Sequence, residues 1–122
     1  MGTIRRFLLL ESVAFFLAAS IHGGYLVPGY QHRAARIAEC VLGLVLVAGL
    51  TVSLLRPALT RAAGLAAQGF ALLGTLVGIF TIIVGVGPRS TPDVIYHIAM
   101  VGVLLWGLVV ALRTHPDVHP RE

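Results

Sequence analysis

Four long apolar runs, each ended by a short polar or helix-breaking segment, set the pattern of the chain. They cover Phe7 to Val27, Ile37 to Leu55, Ala62 to Val86 and Val94 to Leu112. A hydrocarbon layer about 30 Å thick takes roughly 20 residues of helix to cross, at about 1.5 Å each. Each run has about that length. Barrel strands would instead alternate in polarity over about ten residues, and no run does. The pattern therefore predicts an all-α protein, a four-transmembrane-helix bundle. Pro28-Gly29, Arg56-Pro57 and Gly87-Pro88 punctuate the loops. Before the last run, Thr91 is suited to cap the helix, with Pro92 at its first position.

Helical spacing gathers the polar residues of the runs onto one stripe per helix. Glu11, Phe15, Ala18 and His22 share a face of the first. Glu39, Gly43, Leu46 and Ser53 mark one on the second, and Gly64, Gln68, Ala71, Thr75, Gly78, Ile82 and Gly85 one on the third. On the fourth the stripe is Asp93, His97, Met100, Leu104, Gly107 and Ala111. Small and polar residues of this kind let membrane helices approach closely. Depth along the runs places His22, Glu39 and His97 in one layer, with His22 about 8 Å and the other two roughly 3–5 Å inside their spans. Glu11 and Gln68 form a second layer near the opposite ends, with Ser53 near it.

Composition sharpens this picture. Of 122 residues, 57% are hydrophobic and 11% charged, less than half the charge of an ordinary soluble domain, about 25%. That excludes a soluble enzyme and a disulfide-stapled secreted module; the lone Cys40 reads as a small apolar packer. The net charge is +4 and all nine basic residues are arginines. They sit at the ends of apolar runs, not on a soluble basic stripe, so no nucleic-acid partner is expected. Arg5, Arg6, Arg56, Arg61, Arg113 and Arg121 fall on one side, and Arg33, Arg36 and Arg89 on the other. The excess predicts both termini in the cytoplasm and an integral place in a bacterial inner membrane. Arg5-Arg6 ahead of an apolar run also suits a cleavable signal peptide, but Glu11 and His22 inside that run speak against one. Prolines 116 and 120 predict a short mobile tail over residues 113–122, where His115 and His119 could bind a metal only casually. His32 reads as solvated, and Trp106 as packing or lipid contact.

Ionisable groups inside a span are functional candidates by default. His22, Glu39 and His97, with Tyr25 and Tyr96 at the same boundary, are the candidate ligand-binding residues. Two imidazoles and a carboxylate suit a divalent metal, with Asp93 behind His97 as orienting partner. The same set suits a haem between two axial histidines, or imidazoles hydrogen-bonding a quinone carbonyl. A structural Glu39–His pair remains equally open. Glu11, with Gln68 as its partner, is the candidate proton-titrating group, which a proton-coupled small-molecule transporter would use; Glu39 is the alternative. No nucleophile with its base is visible, so catalysis is not expected.

Ala38 to Leu50, with Glu39 near its start and a Gly/Leu-rich continuation, and Phe16 to Gly23, with His22 among small residues, resemble the DoxX-like group of small four-helix membrane proteins. That resemblance implies a helical membrane bundle, in some members tied to redox or sulfur metabolism, with Glu39 and His22 as pocket residues. The chain has no thiol pair to support a thiol-redox role. The expected function is binding of a small hydrophobic or quinone-like ligand, or service as an accessory subunit. Its expected partners are the bilayer and either further copies of itself or a larger membrane complex.

Overall fold

The computed structural model describes residues 2–115 and is all-helical over its regular elements. Four helices run in order: α1 (Gly2–His22), α2 (Arg33–Leu55), α3 (Thr60–Val84) and α4 (Thr91–Arg113), with a single 3-10 turn, Pro57–Leu59, between α2 and α3. Residues 116–122, including His119 and most of the expected tail, lie outside the described residues. Arg113 closes α4 and so does not belong to a tail.

The helix ends follow local chemistry. At the end of α1, Gly24 adopts φ 79°, and Tyr25 N–H donates to Ser20 O (3.1 Å) and Gly24 N–H to Ile21 O (3.0 Å). This is a Schellman closure, which needs a residue free to turn left-handed. It stops α1 at His22, five residues short of the apolar run; Tyr25 to Val27 are apolar but belong to the loop. Gly85 (φ 88°) closes α3 in the same way, with Val86 N–H on Thr81 O. The cap of α4 is Ser90, one residue earlier than expected, because Ser90 and Asp93 form a reciprocal capping box. Thr91 and Pro92 are thereby its first two helical residues.

Three segments are long and apolar enough to cross a membrane: Arg33–Leu55, Pro57–Val84 and Thr91–Arg113. The α1 helix, at 21 residues, is also long enough, but it carries Arg5, Arg6 and Glu11. The outward faces are apolar throughout: Leu44, Leu73, Phe80 and Trp106 are each more than half exposed. A soluble protein seldom exposes contiguous apolar surface on this scale, so the solvent for these faces is lipid.

Adjacent helices pack in the cyclic order α1–α2–α3–α4, with α1 and α3 also meeting across the middle. The diagonal pair α2 and α4 makes no backbone approach. All four share one core, formed by Ile4, Leu8 and Phe15 of α1, Leu42 and Leu46 of α2, Ala67 and Ala71 of α3, and Met100, Leu104 and Ala111 of α4. At one end, Arg5 donates to Ser53 of α2, and Arg61 Nε donates to Ala111 O of α4 (3.1 Å). Both guanidinium groups satisfy carbonyls that the helix C-termini leave unpaired.

Candidate functional site

At the other end, the last residue of α1 joins α2 to α4. His22 Nδ1 lies 2.7 Å from Glu39 Oε2, and its Nε2 lies 2.9 Å from Asp93 Oδ1. All three residues are at least nine-tenths buried. An imidazole flanked by two carboxylates donates to both only with a proton on each nitrogen, or else takes one from a carboxyl group. The arrangement thus holds a shared proton between three buried groups. Helix ends favour it: a histidine cation suits the C-terminus of α1, and an anionic Asp93 suits the first turn of α4.

His22 and Glu39 therefore meet, but Asp93 does not take the place expected for it behind His97. The capping box turns its carboxylate back toward Ser90, which donates through both N–H and hydroxyl. From there it reaches His22. His97 instead donates through Nδ1 to the Asp93 backbone carbonyl, at 2.7 Å. Its Nε2 makes no hydrogen bond among the described residues and rests against α3 at Gly78, where an added Cβ would stand 2.9 Å away. No group of three His, Cys, Asp or Glu side chains able to hold a metal ion occurs among the described residues. The set His22, Glu39 and His97 thus does not fit the divalent metal considered for it.

Depths shift too. His22 is the terminal residue of α1, not one and a half turns inside it. Glu39 and His97 each lie six residues into their helices, roughly 9 Å at 1.5 Å per residue.

Two cavities flank this network where one was expected. The smaller, about 370 Å³, is walled by all four helices and the loop after α3. Phe15, Leu42, Thr75, Gly78 and Tyr96 line it, as do Glu39, His97 and His32. It occupies the space left where α2 and α4 stay apart. The larger, about 510 Å³, lies between α1 and α4 and is lined by Leu17, Ile21, Met100 and Tyr30, with His22 and Asp93 at its polar edge. Tyr96 borders both; its ring meets Phe15 and His97 edge-on, at centroid distances of 6.3 and 5.5 Å. Tyr25 lines neither cavity and is 76% exposed, because α1 ends before it. Tyr30, in the same loop, lines the larger cavity.

His32 is the residue that sequence reasoning missed. Its Nδ1 accepts from Ala35 N–H (3.1 Å) as the N-cap of α2, and its Nε2 donates to Val86 O (3.2 Å) in the loop after α3. It also stands edge-on to His22, with centroids 6.4 Å apart. His32 stands five residues ahead of the apolar run that begins at Ile37, and histidine lies outside the usual capping residues, so no local signal marked it.

The second polar layer forms as expected from depth. Glu11 and Gln68 are both fully buried, and an added Cβ on Gly107 of α4 would meet Glu11 Oε1 and Gln68 Nε2, each at 2.8 Å. Neither side chain makes a hydrogen bond among the described residues. Ser53 is occupied by Arg5 and takes no part. No known protein family, curated protein or solved structure matches the chain in sequence or structure comparison.

Proposed function

We propose that the chain is a four-helix integral membrane protein, both termini on its arginine-rich side, that holds a small, largely apolar molecule by its polar head beside Glu39 and His97. The observation that carries this is the half-used carboxylate. Glu39 is 5% exposed; its Oε2 meets His22, yet its Oε1 has no partner among the described residues. Buried polar atoms are nearly always satisfied, and one left over beside a cavity calls for an occupant. The cavity volume falls within the roughly 300–1,000 Å³ of small-molecule sites. Its walls are apolar and aromatic apart from a few convergent polar groups, which is also usual for such sites. What supports placing α1 in the membrane with the other three is its packing: its buried face completes the shared core and Leu9, Leu10, Val13 and Leu17 face outward.

Native mass spectrometry of the protein released from its own membrane tests the proposal. A bound small molecule is expected, and it is lost in Ala38→Trp, which fills the cavity from α2. Protein that carries nothing, or the same species in both forms, refutes it.

A second function, proton-coupled transport of a small molecule, draws on Glu11, whose two carboxylate oxygens are buried and without a partner among the described residues. Substrate-dependent proton uptake by proteoliposomes that disappears in Glu11→Gln is the corresponding test.

A further inference from the structure

The polar groups around the smaller cavity are not a mixed set. Asp93 O can only accept, so His97 Nδ1 carries the ring proton and Nε2 is left with a lone pair. Thr75 and Thr81 spend their hydroxyl protons on Ala71 O and Gly78 O, at 2.8 and 2.7 Å. His32 donates to Val86 O, and the Tyr96 hydroxyl is directed to Ala14 O at 3.5 Å. Apart from the Tyr96 hydroxyl, whose contact is too long to hold its proton firmly, every lining side-chain N–H or O–H is therefore committed to a backbone carbonyl. Among the described residues, Glu39 Oε1 and His97 Nε2 are left without a hydrogen bond, and as a carboxylate oxygen and the bare nitrogen of a neutral imidazole both accept.

We infer that this cavity selects a ligand whose head donates hydrogen bonds, a hydroxyl or a protonated amine, over one whose head only accepts them. The inference rests on the ligand site proposed above and specifies its chemistry. A carbonyl head, such as that of an oxidised quinone, finds only the Tyr96 hydroxyl as a side-chain donor here and leaves Glu39 Oε1 desolvated and bare. A hydroxyl or ammonium head satisfies Glu39 and can reach His97 as well. The difference is asymmetric because a buried acceptor left unmatched costs more than a matched one contributes.

The test uses the full chain in phospholipid nanodiscs and four probes with one tail: para-hexylphenol, para-hexylbenzylamine, para-hexylanisole and para-hexylacetophenone. Binding is followed by the ¹⁵N resonances of the His97 and His22 imidazoles, with Ala38→Trp as the control for partition into lipid. The phenol or the amine is expected to bind at least about tenfold tighter than the anisole and the acetophenone, the ratio expected for a hydrogen bond to a charged acceptor. Whichever of the two donors binds better identifies the head as neutral or cationic. In Glu39→Gln, which keeps the side-chain length and adds an N–H₂ donor, the margin over acetophenone should shrink. Acceptor heads that bind as well as donor heads, with the same His97 shift, overturn the inference and leave the ligand site standing. If none of the four moves the His97 resonance relative to Ala38→Trp, the ligand site itself is overturned.

Discussion

Removing His22 should cost more than removing the glutamate it pairs with, and removing both should cost less than removing His22 alone. In His22→Ala, Glu39 and Asp93 lose their shared partner while nine-tenths or more buried. Breaking a buried ion pair by deleting one member costs about 3–5 kcal/mol, because the survivor stays uncompensated. Asp93 keeps Ser90, so most of the cost falls on Glu39, both of whose oxygens are then bare. In Glu39→Ala, His22 retains Asp93 at 2.9 Å, and the unpartnered Oε1 disappears along with the lost bond. A charged hydrogen bond is worth about 1.5–3 kcal/mol, and relief of an unsatisfied atom offsets part of it, leaving about 1–2 kcal/mol. The double variant removes the orphaned carboxylate and should recover about 1–3 kcal/mol relative to His22→Ala. Unfolding in mixed micelles titrated with SDS, followed by circular dichroism, gives the three free energies. Costs that simply add, or Glu39→Ala at least as damaging as His22→Ala, would refute the assignment of His22 as the shared partner.

Three further substitutions probe the frame. Gly49→Ala places a Cβ 2.7 Å from that of Ala67, about 0.8 Å inside contact distance. Overpacking of about 1–3 kcal/mol should outweigh a helix-propensity gain of about 1 kcal/mol, whereas Gly102→Ala, with nothing within 4 Å, should show only the gain in the same SDS titration. Ser90→Ala should cost about 1 kcal/mol through the cap and also release Asp93, seen as a shifted His22 Nε2 resonance. His32→Ala should speed hydrogen exchange at Ala35 N–H while leaving the exchange of mid-helix amides of α2 unchanged.

The helical stripes were legible because they depend only on spacing. Every stripe position named on α1, α2 and α4 is buried, as are Gly64, Gln68, Ala71 and Thr75 on α3. The meeting of His22 with Glu39, and of Glu11 with Gln68, followed from depth alone. What spacing could not supply was direction at the helix ends. Asp93 lies on the same stripe as His97, yet the capping box aims its carboxylate at α1, and that depends on Ser90 rather than on the stripe. The end of α1 was hidden for a similar reason: Tyr25 to Val27 extend the apolar run, while Gly24 ends the helix by backbone conformation. His32 combines both difficulties, since its partner Val86 is 54 residues away and no local pattern links the two.

The position of the cavity follows from how unevenly the helices approach one another. Toward the arginine-rich end, Gly49 sits against Ala67, and Gly64 against Ile4, with added Cβ distances of 2.7 and 2.6 Å. There small residues draw α2 onto α3 and α3 onto α1 until no space remains. Midway, Glu11 and Gln68 fill the room that Gly107 leaves, so that layer is polar but closed. Toward the His22 end, glycines again lie on α3, but they face large partners: Gly74 meets Leu42 of α2, and Gly78 meets the His97 ring of α4. Those side chains take up the space the glycines provide and leave the α2 and α4 backbones apart. The volume between them is lined by Glu39 and Leu42 from α2 and by Tyr96 and His97 from α4, with Phe15 of α1. If this account is right, shrinking the wedge should shrink the site. Leu42→Ala would let α2 settle toward Gly74 and weaken probe binding, although the substitution deletes atoms from the cavity wall. Tighter binding of para-hexylphenol in that variant would mean that Leu42 merely occupies the cavity rather than holding it open.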